Sequence, residues 1–131
     1  MRIEECINRV DASKPNHYGT DEKVRWLSYL DASIQRDIID NYEHPVEKEE
    51  TEEFTGYSPE DLSVELLVPF PHDELYVSYL KAKIDEANGE AARYNNSAST
   101  FNTLLENFEK HYNKTHMPKR KHMSIYKGVR Y

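Results

Sequence analysis

Apolar residues recur at helical spacing in three separate stretches of this chain. Ile3, Cys6, Ile7 and Val10 predict a short first helix. Lys14-Pro15-Asn16 stops it, because the residue before a proline resists the helical region. Tyr18-Gly19-Thr20 reads as a turn. Beyond it Val24, Leu27, Leu30, Ile34 and Ile38 share one face, with Trp26 and Tyr42 at the margins. That stripe predicts a second helix to about Tyr42, capped by Thr20 and opened by the acids Asp21 and Glu22.

The helical period is lost over residues 45–70. The segment from Val46 to Tyr57 is acidic, carries Gly56 near its end, and reads as a surface loop. Leu62-Ser63-Val64-Glu65-Leu66-Leu67-Val68 alternates and then runs apolar, which predicts an extended segment or short strand bounded by Pro69-Phe70-Pro71. Val46 to Phe54 is a weak partner for it in a small β-hairpin.

The third stretch is the longest. Pro71 suits the first turn of a helix, and Asp73 and Glu74 suit its dipole. Then Tyr76, Leu80, Ile84, Ala87, Ala91, Tyr94, Ala98, Phe101, Leu105, Phe108 and Tyr112 follow in steps of three and four. This is a near-heptad seam, widened by Leu75, Tyr79 and Leu104. Two sets of breakers interrupt it, Asn88-Gly89 and Asn95-Asn96-Ser97, and Ser97 is able to cap a new helix. One long helix over 71–115 and a helical hairpin turning near Asn95 both remain open. Met117-Pro118 ends the pattern, and residues 117–131 are too short to fold alone.

The fold class expected is therefore mainly α: a helical bundle or hairpin with a long C-terminal helix, an irregular middle and an extended arm. Residues 1–116 form one helical domain with an acidic loop at about 43–61, and 117–131 form the arm.

Composition changes this picture in two ways. Of the 131 residues, 37% are apolar and 31% charged, and the mean hydropathy is −0.90. That fits a thin protomer with much solvated surface, one that hides surface in an assembly, or an ordinary acidic domain. The net charge is −7 but is unevenly spread. Acids crowd the middle from Asp40 to Glu65, whereas none follows Glu109 and Lys110, Lys114, Lys119, Arg120, Lys121, Lys127 and Arg130 do. The basic tail is either a solvated extension or a segment that docks on an acidic surface.

Candidate chemistry adds little. Cys6 is the sole cysteine, so an internal disulfide is excluded and a reducing compartment fits. Glu4 and Glu5 disfavour its thiolate. The opening residues turn charged at once, unlike a signal peptide, and no stretch has the ~18 apolar residues of a membrane span. His111 and His116 stand five apart, on different helix faces, so the histidines do not predict a metal site. Neither a glycine-rich phosphate loop nor a nucleophile elbow is present. No catalytic residue, cofactor or metal is expected. Ten tyrosines, four of them on the seam, suit either a core or a half-wet interface.

Leu67-Val68-Pro69-Phe70-Pro71-His72-Asp73-Glu74-Leu75-Tyr76 follows two short helices and an irregular middle. In that order it resembles the head–tail connector (adaptor) proteins of tailed phages. Asn88-Gly89-Glu90-Ala91-Ala92-Arg93-Tyr94-Asn95-Asn96-Ser97 and Tyr112-Asn113-Lys114-Thr115-His116-Met117-Pro118 look like segments of small structural proteins from phages and prophages of Gram-positive bacteria. The likeness spans about Ile3 to Pro118 and covers the acidic loop and the tail least. It implies a virion protein, present in the host cytoplasm during assembly and not an enzyme. It implies a homo-oligomeric ring, a dodecamer, beneath the portal, docking the next neck or tail protein. DNA would pass through its channel without sequence-specific binding, and no membrane is involved. The arm, with Lys119, Arg120, Lys121, Tyr126, Arg130 and Tyr131, would reach the portal. Tyr76, Leu80, Ile84, Tyr94, Phe101, Leu105, Phe108 and Tyr112 would form the subunit-packing seam. The competing reading is a small acidic regulator or inhibitor whose Glu43–Glu65 run mimics DNA for a basic partner.

Overall fold

The computed structural model describes residues 1–41 and 54–116. Among these, four α-helices form in chain order: α1 (Ile3–Ser13), α2 (Thr20–Asp37), α3 (Glu74–Asn88) and α4 (Ala91–Thr115). A single 3-10 turn, Ile39–Asn41, follows α2. Tyr42, the stretch from Val46 to Glu53 and the whole of 117–131 lie outside the described residues. The hairpin partner and the arm expected from the sequence fall there.

The core is the meeting of the first three apolar stripes. Ile3, Cys6, Ile7 and Val10 of α1 pack with Val24, Leu27, Leu30 and Ile34 of α2 and with Leu75, Tyr76, Leu80 and Ile84 of α3. Burying one such aliphatic side chain is worth roughly 1.5–3 kcal/mol, so this cluster dominates the stability of a chain with so much polar surface.

Two local expectations differ at helix starts. The N-cap of α2 is Gly19, and Thr20 is the first helical residue, with no side-chain cap bond. α3 begins at Glu74 with Asp73 as N-cap, so Pro71 precedes the helix, after a cis Phe70-Pro71 bond. Asp73 makes no cap hydrogen bond; its Oδ2 lies 3.4 Å from the Met1 ammonium.

The extended segment over 62–68 finds its partner at the N-terminus. The N–H groups of Ile3 and Glu4 donate to the carbonyls of Val64 and Leu62, at 3.1 and 2.9 Å. Leu66 N–H donates in turn to Met1 O at 2.9 Å, and Arg2 and Glu65 form an antiparallel bridge. Two of the orphan donors that every helix start leaves are thereby satisfied by a segment distant in sequence.

The long seam does not run straight. Gly89 takes φ 76°, the left-handed region, and ends α3. Its N–H donates to Glu86 O and that of Glu90 to Asp85 O, closing the last turn. α4 then runs back antiparallel along α3: Asp85 meets Ser97, Tyr79 meets Phe101, and His72 meets Phe108 and His111. The hairpin therefore turns at Gly89. Asn95, Asn96 and Ser97 lie inside α4, and Ser97 caps nothing there.

Candidate interaction surface

The hairpin divides the seam into covered and half-covered residues. Tyr76, Leu80 and Ile84 have no exposed surface. They are covered by their own chain, so they are not available to a neighbouring subunit as the sequence reading supposed. Phe108 and Tyr112 are buried as well, against α3 and the turn before it. Tyr94, Phe101 and Leu105 are half-buried, and Leu104 with them. Ala87 and Ala91, at the turn, are exposed. A hairpin brings the two halves of one stripe face to face, and it is this folding back that uses up the apolar surface.

What remains open is the outer side of α4. Among the described helices α4 packs only on α3. From Tyr94 to Leu105 it carries no charged residue, in a chain where nearly a third are charged. Depletion of charge marks the centres of protein interfaces more reliably than bulk apolarity does. The arm residues Lys119, Arg120, Lys121, Tyr126, Arg130 and Tyr131 lie outside the described residues.

The buried polar groups act as fasteners. Asp31 has no exposed surface, yet its carboxylate is fully used. Oδ1 accepts from the Tyr76 hydroxyl at 2.6 Å, and Oδ2 accepts from the Tyr57 hydroxyl and from Leu67 N–H at 3.1 Å. Tyr76 Oη in turn accepts from Val68 N–H at 2.8 Å. One carboxylate thus ties α2 to α3 and to both ends of the irregular middle. Burial pushes the Asp31 pKa above its ordinary value, although the three hydrogen bonds pull the other way. Burial, followed by the charge of Asp31, pushes both tyrosine hydroxyls up. Sequence reasoning missed this hub. The signal was an acid within the apolar stripe of α2, four residues after Leu27 and three before Ile34.

A second fastener holds the hairpin turn. Asp85 is 1% exposed. Its Oδ2 accepts from Ser97 Oγ at 3.0 Å. Its Oδ1 has no well-aligned hydrogen-bond donor and is compensated by the Lys14 ammonium, 2.9 Å away. Tyr18 Oη adds a bond to Asn88 Oδ1 at 2.7 Å. The buried Lys23 ammonium rests 2.7 Å from Asp11 Oδ1.

Burial drives the Cys6 thiol up to about 12, which holds it protonated and inert. Among the described residues no three metal-binding side chains converge. No described helix is long and apolar enough to cross a membrane. Compared with family models, curated proteins and solved structures, the chain matches none.

Proposed function

We propose that this chain is a structural head–tail connector of a tailed phage, one protomer of a ring that extends the DNA channel below the portal. The observation that carries the reading is the state of α4. It is a 25-residue helix that, among the described helices, packs on α3 alone, with a half-covered apolar edge and a long charge-free stretch. A helix of this kind suits side-by-side packing with the next copy, in which head-to-tail contacts close at the right rotation. The segments likened above to connector proteins, Leu67–Tyr76 and Asn88–Ser97, support the same reading. So does the basic arm, whose charge suits an acidic site on a portal. The fully buried members of the seam hold the hairpin shut, and Tyr94, Phe101 and Leu105 are the residues for the neighbouring copy.

Mixing the purified chain with portal rings, and imaging the product by electron microscopy, tests the reading. The expected outcome is added ring density below the portal, lost when residues 117–131 are deleted although the helical circular dichroism is unchanged. A chain that never joins portal-bearing particles, and instead captures a basic protein in a salt-sensitive way, would replace the connector reading with the acidic-regulator one.

A further inference from the structure

The turn between α3 and α4 holds the chain's only asparagine that is followed by glycine, Asn88-Gly89. That pairing has its own chemistry. The backbone nitrogen after an asparagine can attack the side-chain amide carbon, and a side chain on the following residue obstructs the approach. Gly89 has none, and a Cβ built there would meet no atom within 4 Å, so the space over the turn is open. Asn88 is exposed. Gly89 also borders a groove of about 230 Å³, shared with Glu86, Glu90 and Tyr94, that brings water to the turn. Two hydrogen bonds oppose the reaction. The nucleophile, Gly89 N, keeps its hydrogen on Glu86 O at 3.1 Å. The electrophile, the Asn88 amide, accepts through Oδ1 from the Tyr18 hydroxyl at 2.7 Å. Asn88 is also the last residue of α3, and helical ψ turns the next nitrogen away from the side chain. Tyr18 is itself held, its ring centroid 5.8 Å from that of Trp26 and 4.5 Å from that of His17.

We propose that Asn88 is a site of spontaneous deamidation and that the Tyr18 hydroxyl restrains it. Gly89 N gives up its proton to solvent base and bonds to Asn88 Cγ. The Cγ–Nδ2 bond then breaks, and the nitrogen takes up a proton and leaves as ammonia. Water opens the resulting cyclic imide at either carbonyl, which leaves aspartate or isoaspartate at position 88. Water is the only co-reactant, and nothing is oxidised or reduced. In the folded chain ring closure waits until the end of α3 frays, which breaks both hydrogen bonds and frees the Asn88 backbone. The rate then follows the population of the frayed state, as it does for cleavage of transiently open segments. The place of the product gives it a consequence. Either form adds a negative charge beside Glu86 and Glu90. Isoaspartate also lengthens the main chain by a methylene, which moves Gly89 out of the left-handed position that closes α3. The Asp85–Ser97 bond spans this same turn, so the return of α4 along α3 is loosened. The inference stands apart from the connector reading, because its test uses the chain alone.

Ageing the full chain at mildly alkaline pH, folded and in guanidinium chloride, tests it. Trypsin releases residues 84–93, in which Asn88 is the sole asparagine, and mass spectrometry reads the exchange of amide for acid there. The folded parent is expected to react at Asn88, more slowly than the unfolded chain. Tyr18→Phe keeps the ring and removes the hydroxyl. It should speed the folded reaction about fivefold, equivalent to ~1 kcal/mol of lost hydrogen bonding, and leave the unfolded rate unchanged. In the parent alone, the ratio of folded to unfolded rates should match the open fraction that Gly89 amide exchange reports by NMR. That comparison holds even where the variant does not fold. Chain carrying isoaspartate should also melt below both the parent and Asn88→Asp, and equal midpoints would overturn the loosening of the hairpin. Equal rates in the folded and unfolded parent, no reaction at Asn88 in any folded sample, or a Tyr18→Phe rate at or below that of the parent would overturn the proposal itself.

Discussion

Replacing Tyr76 with phenylalanine removes one oxygen from the centre of the fold and keeps the ring that fills it. The hydroxyl donates to the buried Asp31 carboxylate at 2.6 Å and accepts from Val68 N–H at 2.8 Å. Val68 has no exposed surface, so its N–H would be left without water or partner. A buried donor left unsatisfied costs ~1–3 kcal/mol, and a lost hydrogen bond to a charged group ~1.5–3 kcal/mol. The two losses share one atom and are not independent, so a total of about 3 kcal/mol is expected. Urea unfolding, followed by circular dichroism and by the fluorescence of the buried Trp26, measures it. With a slope of ~1–3 kcal/mol per molar, the midpoint should fall by about 1–3 M. The loss should also shrink on acidification, because the hydroxyl bonds a carboxylate more strongly than a carboxyl. A change below about 1 kcal/mol, or a loss independent of pH, would refute the view that this hydroxyl is the joint between α2, α3 and the extended segment.

Further outcomes follow from the same contacts. Asp31→Asn should alter the pH dependence of stability: the raised pKa makes the folded state bind the extra proton, so stability from this group is full below its ordinary value of 3.8 and falls as pH rises through the folded value. The stability of the parent minus that of the variant, measured by urea unfolding, should decline with pH across that window. Lys14→Ala should cost about 2–3 kcal/mol, below the ~3–5 kcal/mol of a fully buried pair because its ammonium is partly solvated; adding Asp85→Ala should recover part of it in a double-mutant cycle by thermal unfolding. Gly89→Ala meets no atom within 4 Å, so its cost is backbone strain alone, ~1 kcal/mol in thermal unfolding, and Gly89→Asn should cost less.

The helices were legible because their signal is local. Ile3, Cys6, Ile7 and Val10 lie on one face at any orientation of the rest, and Lys14-Pro15 ends α1 whatever packs beside it. The existence of the long seam was legible for the same reason. Its division at Gly89 was only half legible. Asn88-Gly89 and Asn95-Asn96-Ser97 are similar breakers by composition, and the period continues through both. Asn, Ser and Thr cost a helix only tenths of a kcal/mol each, a deficit that packing on α3 outweighs. Gly89 occupies a backbone region that other residues resist, and Asp85, Lys14 and Ser97 lock the return.

The sequence by itself determined the helical class of this protein, the stripes that build its core and the separation of its charge into an acidic middle and a basic end. Each of these depends on spacing along one chain. The tertiary structure alone decided which apolar residues stay available. Folding α4 onto α3 covers Tyr76, Leu80 and Ile84 and leaves Tyr94, Phe101 and Leu105 half open. It also decided that Asp31 is a buried joint between α2, α3 and the irregular middle. These are meetings between residues far apart in the chain, and a periodic pattern states which face is apolar without stating what covers it.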